Sequence, residues 1–96
     1  LLDVAKQCGT SGYAAESVPM AICAAQRVRV TRFESMIRQV IQCGGDTDTI
    51  ASMGGQIAGA LLGFERLPQK LVRQVPEVEV ILSTAEHLAA LIDRAE

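Results

Sequence analysis

Two aspartates separated by one threonine, with a second threonine directly after them, form the densest group of hard oxygen donors in the chain: Asp46-Thr47-Asp48-Thr49. In an extended loop, side chains two residues apart project to the same side, so Asp46 and Asp48 can converge and the Thr49 hydroxyl can join them. Oxygen donors of this kind suit Mg²⁺, Mn²⁺ or Ca²⁺, whereas Zn²⁺ prefers Cys and His. An EF-hand loop is excluded, because its alternating acidic ligands and closing Glu do not follow in the required order. The competing reading needs no metal: Asp and Thr are preferred N-caps, and carboxylates are favoured at the positive end of a helix.

Other residues invite chemistry less strongly. Glu16 sits near the start of a helix, where acids serve as capping or solvated residues. His87, the only histidine, has no Cys or His at ligand spacing and reads as a surface residue. Cys8, Cys23 and Cys43 are odd in number and widely spaced, which excludes a CxxC motif and a disulfide framework. They read as buried structural thiols in a reducing, cytoplasmic setting.

The elements that must position the aspartates are helical throughout. Leu1 to Gln7 read as the tail of a helix. Cys8 to Ser17, with Gly9, Ser11 and Gly12 around the single Tyr13, reads as a loop, and Pro19 suits the first turn of the helix after it. Thr31-Arg32-Phe33-Glu34 has the pattern of a capping box. Phe33, Met36, Ile37, Val40 and Ile41 then make one apolar stripe at helical spacing, ended by Gly44-Gly45. The Asp-Thr segment caps the next helix, which stays apolar or small to Phe64 apart from Ser52 and Gln56 and so has almost no polar face. Such a helix is expected to be buried on all sides. Its stripe of Ala51, Gly55, Gly59 and Gly63 predicts close approach by a neighbouring helix. Leu67-Pro68 opens a short helix to about Arg73, and Pro76 opens the last, with Val78, Ile81, Leu82, Ala85, Leu88, Ala89 and Ile92 on one face.

Composition limits the partners. Of 96 residues, 49% are hydrophobic and 21% charged, an apolar content larger than the interior of so short a chain can absorb. The net charge of −2 comes from scattered residues, which excludes the basic stripe of a nucleic-acid binder. The apolar helix beginning at Ile50 is too short for a membrane span. Leu1-Leu2-Asp3 lacks the features of a signal peptide and has no initiating Met. Together these features predict a fragment of a larger helical domain, exposing apolar surface when alone.

The segment Gly44-Gly45-Asp46-Thr47-Asp48-Thr49-Ile50-Ala51, with the small-residue helix up to Gly63, resembles the C-terminal signature of the ADP-ribosylglycohydrolases. A second patch, Gly12-Tyr13-Ala14-Ala15-Glu16-Ser17-Val18-Pro19-Met20-Ala21, lies at the matching distance upstream, and the Leu67-Pro68 region also fits. The resemblance covers most of residues 9 to 92. It implies an all-α orthogonal fold of which residues 1–96 form a C-terminal part. It further implies a hydrolase that cleaves the N- or O-glycosidic bond of ADP-ribose conjugates using two divalent ions, Mg²⁺ first and Mn²⁺ second. By resemblance, Asp46, Asp48 and Thr49 are metal ligands, with Asp48 bridging both ions, and Gly12, Tyr13 and Ala14 contact ADP-ribose. The family's Thr-Asp-Asp ligand cluster and acid/base Glu have no counterpart here, so they are expected in an N-terminal portion of the same fold, and the chain alone is expected to be inactive. The alternative is a non-catalytic ADP-ribose-binding or crystallin-like relative that keeps this signature.

Overall fold

A computed structural model describes residues 1–95, which form six α-helices: α1 Leu2–Cys8, α2 Ala14–Gln26, α3 Phe33–Cys43, α4 Thr47–Leu62, α5 Gln69–Val72 and α6 Val78–Ala95. Short 3-10 turns, Arg27–Arg29 and Phe64–Arg66, follow α2 and α4. The described residues include no strand, so the chain is all-α as its periodicity predicts. None of the described helices is long and apolar enough to cross a membrane.

The interior is built from α2, α3 and α4, with α1 against them. Met20, Ala24 and Ala25 of α2, Met36 and Val40 of α3, and Ile50 and Ala58 of α4 are buried together with Ala5 and Val28. Four of these nine side chains are alanine, which lets the helix axes approach closely. The most extensive pairing joins α2 to α4. Gly54 lies within it: a methyl group built there would meet the Ala21 carbonyl oxygen at 3.4 Å and the Ala24 Cβ at 3.7 Å.

That contact corrects the expected glycine stripe. Gly55 faces only the Phe33 ring, at 3.7 Å from a built methyl, and neither Gly59 nor Gly63 has a neighbour within 4 Å of one. The face that packs is therefore Ile50, Gly54 and Ala58, one residue round from the stripe read in the sequence. Ile57 and Leu61 of α4 are exposed, as expected where so short a chain cannot surround so apolar a helix. Apolar content alone does not tell which side of a helix meets a partner.

Three further expectations change. Helix α2 begins at Ala14, so the loop ends four residues before Ser17 would have closed it, and Pro19 lies in the second turn. Thr31 does not accept a capping bond; its hydroxyl donates to the Arg27 carbonyl at 2.8 Å, and Arg32 occupies the cap without a side-chain bond. The hydroxyl bonds back to a carbonyl of the preceding turn, one that also accepts from the Val30 and Thr31 amides, instead of capping the helix that follows. The thiols are not buried: Cys8 is exposed, and Cys23 and Cys43 are half-buried, all three unpaired. His87 is exposed, as its isolation predicts.

Helix α6 is amphipathic but contributes no buried residue. Val80, Ile81, Leu88, Leu91 and Ile92 are all exposed, and only Val78 and Leu82 are partly covered. The apolar surplus predicted from composition thus lies on the surface.

Candidate metal centre

The Asp-Thr segment is positioned from both sides. Upstream, α3 ends at Gly44 and Gly45, whose φ angles of 73° and 75° are costly for any residue with a Cβ. Gly45 has a second reason to be glycine, because an added methyl would overlap the Thr10 backbone and side chain. Downstream, Asp46 caps α4: its Oδ1 accepts from the Thr49 amide at 3.4 Å. The same amide donates to Asp48 Oδ1 at 3.0 Å. One N–H therefore draws both carboxylates together.

This convergence differs in origin from the one expected. Asp48 lies in the first turn of α4 rather than in an extended loop, and Asp46 alone is non-helical, at φ −81° and ψ 70°. The shared amide, not strand-like alternation, brings the carboxylates to one side. A hydrogen bond with the Asp48 carboxyl group is the largest influence holding the Asp46 carboxyl below its ordinary range, followed by the Thr49 hydroxyl and amide; slight burial opposes them. Asp46 is half-buried, while Asp48 and Thr49 are exposed.

Capping and cation binding are compatible here. The cap uses Oδ1 of each aspartate, and each carboxylate has further lone pairs. Two carboxylates and one hydroxyl match a hard divalent ion in type, but such ions take about six oxygen ligands, more than this segment offers. Among the described residues no three His, Cys, Asp or Glu side chains gather into a complete site.

The upstream patch reaches the same place. The Asp46 amide donates to the Thr10 carbonyl at 2.7 Å. A methyl built on Gly12 would stand 2.7 Å from Asp46 Oδ2, so the loop lies directly against that carboxylate and a side chain there would have to turn it aside. Gly12 and Asp46 thus sit together. Tyr13 and Ala14 follow in the same loop and at the start of α2, both exposed. Tyr13 is the N-cap residue of α2, with its carbonyl accepting from Glu16 and Ser17 and its amide donating to Ser11 Oγ at 3.2 Å.

The paired contacts also orient the helices. Gly12 meets Asp46 just before the starts of α2 and α4, and Ala21 meets Gly54 farther along both. The two helices run side by side in the same direction, so their positive ends converge at the aspartates and favour the charged carboxylates. Sequence reasoning missed Thr10, whose carbonyl holds the two loops together, and Ser11, which bonds Tyr13 and Glu16 within its own segment. The only signal in the sequence is the glycine framing them, Gly9 before and Gly12 after.

A family model of the ADP-ribosylglycohydrolases matches residues 2–96. The ADP-ribosylhydrolase ARH3 of Mus musculus is 41% identical over a segment covering 70% of this chain and 20% of that protein. Its counterpart in Xenopus tropicalis is 40% identical, covering 69% of this chain and 21% of the relative. The ADP-ribosylarginine hydrolase Tri1 of Serratia proteamaculans is 32% identical, covering 82% of this chain and 21% of the relative. The chain therefore spans about a fifth of the length of these relatives. No solved structure matches it significantly.

Proposed function

The chain belongs to the ADP-ribosylglycohydrolase family, and on that premise we propose that it supplies one side of a dinuclear metal site in a hydrolase of ADP-ribose conjugates. Asp46, Asp48 and Thr49 are the proposed ligands for two divalent ions, Mg²⁺ or Mn²⁺, with Asp48 between them. Gly12, Tyr13 and Ala14 are the proposed ADP-ribose contacts. The observation that carries this reading is the contact between Gly12 and Asp46, which joins the two motifs at one point.

Each residue has a task that its surroundings support. Asp46 is the rigid member, fixed by its own amide and by the cap on Thr49. Asp48 is more open and can turn an oxygen toward each ion. The Thr49 hydroxyl adds a neutral donor on the same turn. At the start of α2, the first amides have no helical acceptor and point outward, a favourable setting for the diphosphate of ADP-ribose. Gly12 keeps that approach free of side-chain bulk.

Two such ions, held by Asp46, Asp48 and Thr49, would supply the positive charge that activates water for hydrolysis of an N- or O-glycosidic bond. The remaining ligands and the acid/base carboxylate are proposed to come from a separate N-terminal portion of the fold, since these relatives are far longer than the aligned segment. The three unpaired thiols support a reducing, cytoplasmic setting. The test is release of ADP-ribose from a modified peptide by the complete polypeptide with Mg²⁺ or Mn²⁺, compared with its Asp48→Ala variant. Release that is unaffected by the substitution would overturn the assignment.

A further inference from the structure

The segment Gly9-Thr10-Ser11-Gly12 has two sides, and its residues alternate between them. Gly9 and Ser11 face Glu16: the Ser11 amide donates to Glu16 Oε1 at 3.3 Å, and a methyl on Gly9 would overlap the same carboxylate. Thr10 and Gly12 face the aspartate loop: the Thr10 carbonyl accepts from the Asp46 amide at 2.7 Å, and Gly12 lies against Asp46 Oδ2. One short segment is thus held between Glu16 and Asp46. Glu16 itself stands on the first turn of α2, beside the buried Ser17, Met20 and Ala21, so its backbone is anchored in the core.

We propose that Glu16 is a positioning residue for the candidate metal centre, acting through the Gly9–Gly12 loop on the orientation of the Asp46 carboxylate. The proposal rests on reading Asp46 as a metal ligand. Glu16 touches neither aspartate. Its carboxylate clamps the outer side of the loop whose inner side fixes both the amide and Oδ2 of Asp46. Groups that hold metal ligands in place from behind commonly contribute 10- to 100-fold to affinity, roughly the range expected here. A cap acting only on α2 would change helix stability and leave Asp46 alone.

The experiment compares the complete polypeptide with its Glu16→Ala, Glu16→Gln and Asp48→Ala variants. Mn²⁺ affinity is measured by calorimetry, and hydrogen exchange at the Asp46 amide is measured without metal. Glu16→Ala is expected to weaken Mn²⁺ binding by about 10- to 100-fold and to speed exchange at Asp46. Glu16→Gln, which keeps an oxygen for the Ser11 amide, is expected to restore both. Wild-type Mn²⁺ affinity and wild-type Asp46 exchange in Glu16→Ala would overturn the proposal, as would equal loss in both Glu16 variants. If the parent and Asp48→Ala bind Mn²⁺ alike, the metal-centre reading fails and the proposal with it; the Asp46 exchange rates then still report whether Glu16 holds the loop.

Discussion

Gly12 and Asp46 lie so close that a methyl group on the glycine would stand 2.7 Å from the carboxylate Oδ2. The aspartate cannot withdraw freely, because its Oδ1 caps α4 and its amide is bonded to Thr10. Gly12→Ala should therefore turn the carboxylate and weaken Mn²⁺ binding by roughly 10- to 100-fold, the usual cost of disturbing what supports a ligand. Calorimetry checks this. Unchanged affinity would mean that the carboxylate orientation seen here is not the binding one.

The packing of α2 on α4 makes a second, independent prediction. Gly54→Ala places its methyl at the edge of van der Waals contact with Ala21 and Ala24, while gaining up to about 1 kcal/mol of helix propensity, so its net effect on stability should be small. Gly54→Leu must push the helices apart and should destabilise by about 1–3 kcal/mol. Gly59→Ala meets nothing within 4 Å and should stabilise by up to about 1 kcal/mol. Denaturant unfolding of the three variants gives the order; a larger loss at Gly59 than at Gly54 would restore the stripe that the sequence suggested.

Asp46 should titrate below the ordinary aspartate value of 3.8, first because of its hydrogen bond with Asp48 and then because of Thr49. A depressed carboxylate stabilises the folded state above the unfolded pKa, and that contribution is lost as pH falls through the lower, folded value. The contribution of this carboxylate to the start of α4 should thus be lost only under more acidic conditions than for an ordinary aspartate. An NMR titration of the Asp46 carboxyl carbon measures this directly. A midpoint at or above 3.8 would contradict the close placement of the Asp48 and Thr49 side chains beside this carboxyl.

Much of this architecture is legible in the sequence, and the parts that are not share a cause. Helices α3 and α4 follow from local patterns: the stripe Phe33, Met36, Ile37 and Val40, the stop at Gly44-Gly45, and the cap at Asp46. Each depends on neighbours within a turn or two. Periodicity could not choose Gly54 over Gly55, because that choice is made by Ala21 and Ala24 of another helix. Thr31 carried a valid capping pattern, yet a carbonyl four residues earlier captured its hydroxyl. At the candidate centre, the aspartates stood out by their chemistry, whereas Thr10 and Ser11 did not and Glu16 read only as a capping or solvated acid. Their part depends on a loop folding onto another loop more than thirty residues away, at Asp46.

The central claim is that the aspartate loop binds metal and does not merely cap a helix, and the most direct test pairs Asp48→Ala with Ser52→Ala in the complete polypeptide. Ser52 lies one turn farther along α4, exposed and bonded only to Gln56, so its loss controls for a change in the same helix. With each protein titrated by Mn²⁺ in a calorimeter, Asp48→Ala should lose most of its binding, because one carboxylate serving both ions is removed, while Ser52→Ala should match the parent. Equal Mn²⁺ binding by the two variants would contradict the account and leave Asp46 and Asp48 as capping residues alone.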